Sequence, residues 1–206
     1  MESDIFAPIH KYPMQNRLIE RLQYALRKTE LLELTAALEQ EGCTLEQLLS
    51  IIKNEKNPVA FHAAWVIENM VMPNPEKHIA ILPLLSNEFI ETTNDSVQRH
   101  FAKILSHLLT LAHKGQLGNA AIKRVNAIDT DPIIERCIEL ISNPQTKIAV
   151  AAHCIDIIYT LSHRVDWLQQ ELPFILESQI SIGSAGIQSR CRNILKKMSK
   201  KKVTFF

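Results

Sequence analysis

The apolar residues of Asn94–Leu108 follow a spacing that recurs in other segments of the chain. Five apolar residues stand at i, i+4, i+7, i+8 and i+11, a spacing that places them in one stripe along an α-helix. Asn94 precedes them and can cap the free backbone N–H groups of the first turn. The segment therefore predicts a helix that buries this stripe: Val97, Phe101, Ile104, Leu105 and Leu108.

The same offsets recur in three other segments, which start at Val59, Val150 and Ile187. The four starting residues are 38, 53 and 37 positions apart. The pattern predicts four equivalent helices that share one buried face. The three further stripes are Val59, Ala63, Val66, Ile67, Met70; Val150, Cys154, Ile157, Ile158, Leu161; and Ile187, Cys191, Ile194, Leu195, Met198.

A proline lies at the same distance before two of these four helices. Pro83 lies fourteen residues before Val97, and Pro173 lies fourteen residues before Ile187. Proline inside a helix removes a backbone donor and clashes with the preceding turn, which bends the helix. We therefore expect a bent first helix, with an internal proline, in each of these two repeats.

With these paired helices the chain resembles the HEAT and armadillo class of α-solenoids, whose repeats of about 40 residues are two antiparallel helices. The resemblance covers residues 44–199. It implies an all-α fold, an α-α superhelix of about four helix pairs in a right-handed stack. Each pair would close against its neighbour, since an isolated pair cannot bury its own stripe.

Breaks in the pattern divide a predicted single domain, residues 1–206, into segments. Gly42 is a plausible helix stop, and Thr44 with Gln47 fits a capping box that opens the first repeat. Helix is predicted over 14–41, with a possible break near Thr29, after an irregular lead-in over 1–13. The predicted segments are an N-terminal helical extension over 1–43, repeats over 44–72, 75–114, 131–163 and 165–200, an extra short helix over 116–130, and a tail over 201–206.

Composition favours a soluble globular chain, with 46% apolar residues and 5 glycines in 206 residues. The start lacks the pattern of an export signal, and no run reaches about 18 apolar residues, so we expect a cytoplasmic location and no membrane span. The 4 cysteines form no C-x-x-C pair. Structural thiols in a reducing compartment are the favoured interpretation, with metal or redox use as the alternative.

The repeat frame also selects residues beside the buried stripe. Offset three carries His62, His100, His153 and Arg190, and offsets six and ten lie on the same flank of each helix. Such a column could bind an acidic peptide, a phosphate backbone or another anionic surface; alternatively, its rings fill gaps between helices. The predicted partner surface is His62, Trp65, His100, Lys103, His107, His153, Arg190 and Lys197.

A nucleic-acid-binding function is the alternative from another class. No acid follows Arg190, so the last helix is basic. The chain could then bind DNA in the manner of the HEAT-like alkylpurine DNA glycosylases, which use the concave face of a helical stack. Residues 1–189 carry 16 basic and 22 acidic side chains, which argues against a continuous basic stripe. The residues for this alternative are Arg190, Arg192, Lys196, Lys197, Lys200 and Lys201.

Catalytic signals are poor. His153 and Cys154 are adjacent, so on a helix their side chains diverge by about 100°. The glycine-bearing turn 181–186 precedes a helix but lacks the lysine and spacing of a P-loop. It also lacks the signature loop of the fumarase and adenylosuccinate lyase class. We therefore expect a non-catalytic interaction module without metal or cofactor, and an enzyme with an unrecognised site is the remaining alternative.

Overall fold

A computed structural model of the chain describes residues 12–24 and 27–203. Within these residues the regular structure is helical and contains no β-strand, which confirms the predicted all-α class. The chain forms two compact units, Met1–Pro73 and Asn74–Phe206. The predicted lead-in falls mostly outside the described residues, as does the end of the predicted tail. The single domain and its division into repeats stay predictions.

Unit 1 is built around its last helix. Its helices are α1 (Tyr12–Gln23), α2 (Lys28–Gln40), α3 (Leu45–Asn54) and α4 (Val59–Val71). α4 packs against each of the other three, and the predicted stripe from Val59 to Met70 is at most 4% exposed. The predicted break near Thr29 lies slightly earlier, because α1 ends at Gln23 and α2 begins at Lys28.

Local chemistry fixes the turn between α2 and α3. Gly42 has φ +74°, a left-handed conformation in which a Cβ would be strained. Thr44 and Gln47 then form the predicted capping box. The Gln47 N–H donates to Thr44 Oγ1 over 3.3 Å, and the Thr44 N–H donates to Gln47 Oε1 over 2.9 Å.

In its described part, residues 74–203, unit 2 contains a 3-10 turn (Ile79–Ile81) and seven α-helices. The central helices are α6 and α9; α6 packs against α9, and α9 packs against α11. Helices α5, α8 and α10 pair with α6, α9 and α11, respectively. The helices are α5 (Leu82–Glu91), α6 (Asp95–His113), α7 (Asn119–Asn126), α8 (Asp131–Ser142), α9 (Ile148–Leu161), α10 (Asp166–Ile182) and α11 (Ala185–Val203).

Helices α6 and α9 run side by side in the same direction. At their N-terminal ends Lys147 Nζ lies 3.8 Å from Asp95 Oδ2. At their C-terminal ends the ring centroids of His113 and His163 are 4.2 Å apart. The two helices therefore stay adjacent along their length, as expected for equivalent helices of successive repeats.

The predicted stripes of unit 2 are buried. Those of α6 and α9 are at most 1% exposed, and in α11 Ile187, Cys191 and Ile194 are at most 4% exposed, whereas Leu195 and Met198 are half-buried. Asn94 caps α6 as predicted, because its Oδ1 accepts from the N–H groups of Ser96 and Val97 over 3.1 and 3.4 Å.

The two prolines in register do not play the same role. Pro173 lies inside α10, as predicted. The prediction for Pro83 is wrong, since it occupies the first turn of α5, directly after the 3-10 turn. A first-turn residue has no intrahelical partner for its N–H, so proline is tolerated there without a bend. The shared spacing therefore arises from two different local structures.

The thiols follow the burial pattern. Cys137, Cys154 and Cys191 are buried, and Cys43 is half-buried at the turn between α2 and α3. Burial raises the pKa of the Cys43 thiol, and the nearby Glu41 charge raises it further. Within the described residues, none of the helices combines the length and apolar character needed to span a bilayer.

Candidate functional site

The offset-three column divides into a buried part and a half-exposed part. His62 on α4 and His100 on α6 are 5% and 2% exposed. His153 on α9 and Arg190 on α11 are half-buried. His62 and His100 therefore belong to the interior, which was the alternative interpretation of these rings, and they offer no surface to a partner.

The environment of His62 explains its burial. Its Nδ1 lies 2.8 Å from the carbonyl oxygen of Leu22, on α1. A carbonyl only accepts, so Nδ1 carries the proton and donates it. The neighbouring Phe61 ring lies 5.2 Å from the imidazole, centroid to centroid. His62 thus ties the end of α1 to α4, a packing role within unit 1.

The remaining predicted residues are partly or fully accessible. Trp65 is half-buried, and its ring lies 5.7 Å from the Phe61 ring. Lys103 and His107 are half-buried on α6, one turn apart. Lys197 is exposed on α11. The accessible part of the predicted surface in unit 2 is therefore carried by α6, α9 and α11.

Charged side chains on these three helices act electrostatically on His153. We call this group the basic cluster: Arg99, Lys103, His153, Asp156 and Arg190. Arg99 and Lys103 come from α6, His153 and Asp156 from α9, and Arg190 from α11. Arg99, Lys103 and Arg190 carry positive charges and Asp156 carries a negative charge, and all four act on His153.

One ion pair is already formed within the basic cluster. Arg190 Nη1 donates to Asp156 Oδ2, and the two side chains remain 40% and 30% exposed. Arg190 therefore reaches from α11 across to α9. Asp156 occupies the position that a carboxylate from outside could take.

Burial lowers the pKa of His153. The negative charge of Asp156 opposes this shift, whereas the positive charges of Arg190, Lys103 and Arg99 reinforce it. These effects together favour the neutral imidazole more than in an exposed histidine. An anion bound nearby would favour its protonated form, because opposite charges stabilise each other. The ring can thus add a positive charge to the basic cluster when an anion arrives.

Sequence reasoning missed Arg99, and helix geometry shows why it belongs here. At about 100° per residue, offset three lies about 80° from the centre of the buried stripe, whereas offset six lies about 140° away and offset two about 180°. Offset three therefore borders the interior. Arg99, at offset two, is exposed. Choosing surface candidates from offset two rather than from offset three would have identified Arg99.

The residues of the nucleic-acid alternative lie on α11. Arg192, Lys196 and Lys200 are exposed at i, i+4 and i+8, so they share one side of the helix. Arg192 Nη2 also donates to Gln188 Oε1 over 3.1 Å. The side chain of Lys201 lies outside the described part of the chain. Arg190 points instead to α9, where it binds Asp156.

The weak catalytic motifs have structural explanations. Cys154 is fully buried while His153 is half-buried, so the two side chains diverge. A Cβ on Gly183 would lie 2.6 Å from the Gln179 carbonyl oxygen and 2.8 Å from Ile187 Cγ2, so this turn needs a glycine for close packing. Among the described residues, the side chains form no group of three or more metal ligands.

Comparison with known proteins gives a family. A family model described as a HEAT repeat domain matches residues 18–198. Among solved structures, the chain is similar to a designed armadillo repeat protein in complex with the peptide (KR)4, at 14% identity and a TM-score of 0.42 over 90% of this chain and 92% of that chain. None of the curated proteins matches the sequence.

Proposed function

The chain belongs to the HEAT repeat domain family, and on that premise we propose that it is a non-catalytic interaction module that binds an acidic segment of a partner protein. The contact surface is the basic cluster of unit 2, extended along α6 by His107 and along α11 by Lys197. Stacked helical repeats present their second helices as a continuous binding surface.

One observation carries this proposal. Arg190 reaches from α11 to bind a carboxylate on α9, and the charges of Arg99 and Lys103, on the adjacent α6, act on His153 of the same helix. A carboxylate of a partner would meet the same guanidinium and the same cationic surroundings. Because these side chains are half-buried or exposed, a partner can reach them without unfolding the helices.

The electrostatic contribution is moderate. Each partly exposed ion pair contributes about 0.2–1 kcal/mol at moderate salt. Three such contacts would together change affinity by about 3- to 150-fold. Binding by this surface should therefore weaken with added salt, because exposed charges are screened.

The proposal is tested with fluorescent peptides in a fluorescence anisotropy titration at low salt. One peptide is rich in Asp and Glu, and its control carries Asn and Gln at the same positions. We expect the acidic peptide to bind more tightly. The triple variant Arg99→Ala, Lys103→Ala and Arg190→Ala should weaken its binding by about 3- to 150-fold.

A matched control removes three cations elsewhere in unit 2: Lys114→Ala, Lys123→Ala and Arg124→Ala. These side chains are exposed and lie outside the basic cluster. The control variant should change affinity by less than about 2-fold. Equal weakening in both variants, or equal binding of the acidic and neutral peptides, would overturn the proposal.

The nucleic-acid alternative is an outcome of the same assay. The observation that favours this alternative is the row of exposed cations on α11: Arg192, Lys196 and Lys200. If random-sequence duplex bound with a steep salt dependence, and binding fell when this row was changed to alanine, the nucleic-acid function would replace the one proposed. We expect the duplex to bind no better than the neutral peptide.

A further inference from the structure

We infer that the acidic segment carries two carboxylates three residues apart on an extended, polyproline-II-like backbone. One carboxylate binds Arg190 beside α9, and the other binds Lys103 and Arg99 on α6. This inference rests on the proposed function and adds to it the class of peptide that fits. The segment would cross from α9 to α6 rather than run along either helix.

Arg190 provides the first anchor. Its bond to Asp156 places the guanidinium at α9, although the residue belongs to α11. A guanidinium has five N–H donors in a planar fork, so the bond through Nη1 does not exhaust its capacity. A second carboxylate can bind the same fork or exchange with Asp156, whose side chain is 30% exposed.

Lys103 and Arg99 provide the second anchor. They lie four residues apart on α6, so they are neighbours on one side of that helix. α6 packs directly against α9, and the charges of both residues act on His153 of that helix. The second anchor therefore stands one helix away from the first, on the side of α9 opposite to α11.

The spacing of the helices sets the spacing of the ligand. Packed helices have axes about 8–10 Å apart, and α6 and α9 run side by side in the same direction. In a polyproline II helix the rise is about 3.1 Å per residue and three residues make a turn, so positions i and i+3 project from one side about 9 Å apart.

Other backbone conformations fit this distance less well. In a β-strand, residues on the same side are two apart and about 7 Å from each other. In an α-helix, positions four apart rise by about 6 Å and positions seven apart by about 10.5 Å, so neither falls within the range of about 8–10 Å. A polyproline II segment also loses less conformational freedom when it binds, since its backbone is already restricted.

The inference is tested with proline-rich host peptides that carry two glutamates at a separation of one, three or six residues. All three have the same composition and net charge, and a peptide with glutamines gives the baseline. We expect the three-residue separation to bind about 2- to 5-fold more tightly than the other two. Affinities are measured by fluorescence anisotropy competition at low salt.

Variants of the protein assign the two anchors. In Arg190→Ala, and separately in the double variant Arg99→Ala and Lys103→Ala, the three-residue peptide should fall to the affinity of a peptide with one glutamate. The Lys114→Ala, Lys123→Ala and Arg124→Ala control should keep the full preference. Circular dichroism melting of each variant checks that the fold is retained.

The possible outcomes separate the two proposals. If all acidic peptides bind above baseline with equal affinity, or if another separation binds best, this inference is overturned while the proposed function stands. If none binds above the glutamine peptide, the proposed function itself fails. A preference for three residues that persists without Arg190 would also overturn the inference, because it would place the anchors elsewhere.

Discussion

His62 in unit 1 and His153 in unit 2 occupy the same position of their helices, three residues after the first buried apolar residue, but they have opposite environments. His62 is 5% exposed and donates to the Leu22 carbonyl of α1. His153 is half-buried and surrounded by charged side chains. A position at the border of a buried stripe becomes interior or surface according to which further helix covers it.

The largest expected effect on stability comes from removing the His62 side chain, which packs between α1 and α4 in unit 1. His62→Ala should lower the free energy of unfolding of this unit by about 2–4 kcal/mol, because it leaves a cavity and a carbonyl without its donor. Trp65 lies in unit 1 and Trp167 in unit 2. Urea unfolding followed by Trp65 fluorescence, in a Trp167→Phe background, isolates the effect. A loss below about 1 kcal/mol would mean that the ring is not a packing residue.

The second prediction repeats the comparison inside unit 2. His100 is 2% exposed, so His100→Ala should cost about 2–3 kcal/mol through the cavity it leaves. His153→Ala, at the same offset, should cost at most about 1 kcal/mol. Trp167 fluorescence in a Trp65→Phe background reports both variants. Equal losses would remove the distinction between the two parts of the column.

The third prediction concerns the ion pair of the basic cluster. Asp156→Asn should cost at most about 1 kcal/mol of stability, since the pair with Arg190 is partly exposed. The same change releases Arg190 from an internal competitor, so the acidic peptide should bind about 3- to 10-fold more tightly. Weaker binding in this variant would show that Asp156 holds Arg190 in place rather than competing for it.

The fourth prediction is a pH dependence with a defined sign. The pKa of His153 is lowered from 6.5 by burial first, so the unfolded chain takes up this proton more readily than the folded one. Stability is therefore highest above about pH 6.5 and falls as the pH drops below it. The sequence has 8 histidines, so the difference between the native chain and His153→Gln isolates this ring. Parallel pH profiles would contradict the prediction.

The smallest effect tests the composition of the basic cluster directly. Arg99→Ala removes a cation, so it should raise the pKa of His153, whereas Asp156→Asn removes an anion and should lower it. Both shifts are followed by NMR titration of the His153 ring proton. Lys114→Ala, on an exposed residue outside the basic cluster, serves as the control and should leave the titration unchanged.

Much of the fold follows from the sequence, because it depends on local periodicity. The stripe that begins at Val97 repeats at helical spacing, and Asn94, Thr44 and Gly42 act within a few residues of themselves. Pro83 shows the limit of this reasoning, since its spacing matches that of Pro173 while the helix starts beside it. A shared interval does not reveal where a helix begins.

The site was less predictable, because it depends on contacts between helices distant in sequence. Offset three selected His62 and His153 alike, and the 3.6-residue period contains no information on the placement of α1 over α4. Arg99 was missed for the same reason, since its role depends on the neighbouring α9. The column of predicted residues nevertheless included Lys103, His153 and Arg190, because all three lie on one flank of repeated helices.

The half-buried Cys43 has a practical consequence. The other three thiols are fully enclosed by helices, so a maleimide dye should couple selectively at the turn between α2 and α3 without any engineered cysteine. Because the thiol pKa is raised, the thiolate that reacts is scarce at neutral pH, and labelling will proceed faster in mildly alkaline buffer. The native chain therefore supplies its own single attachment point for fluorescence measurements on unit 1.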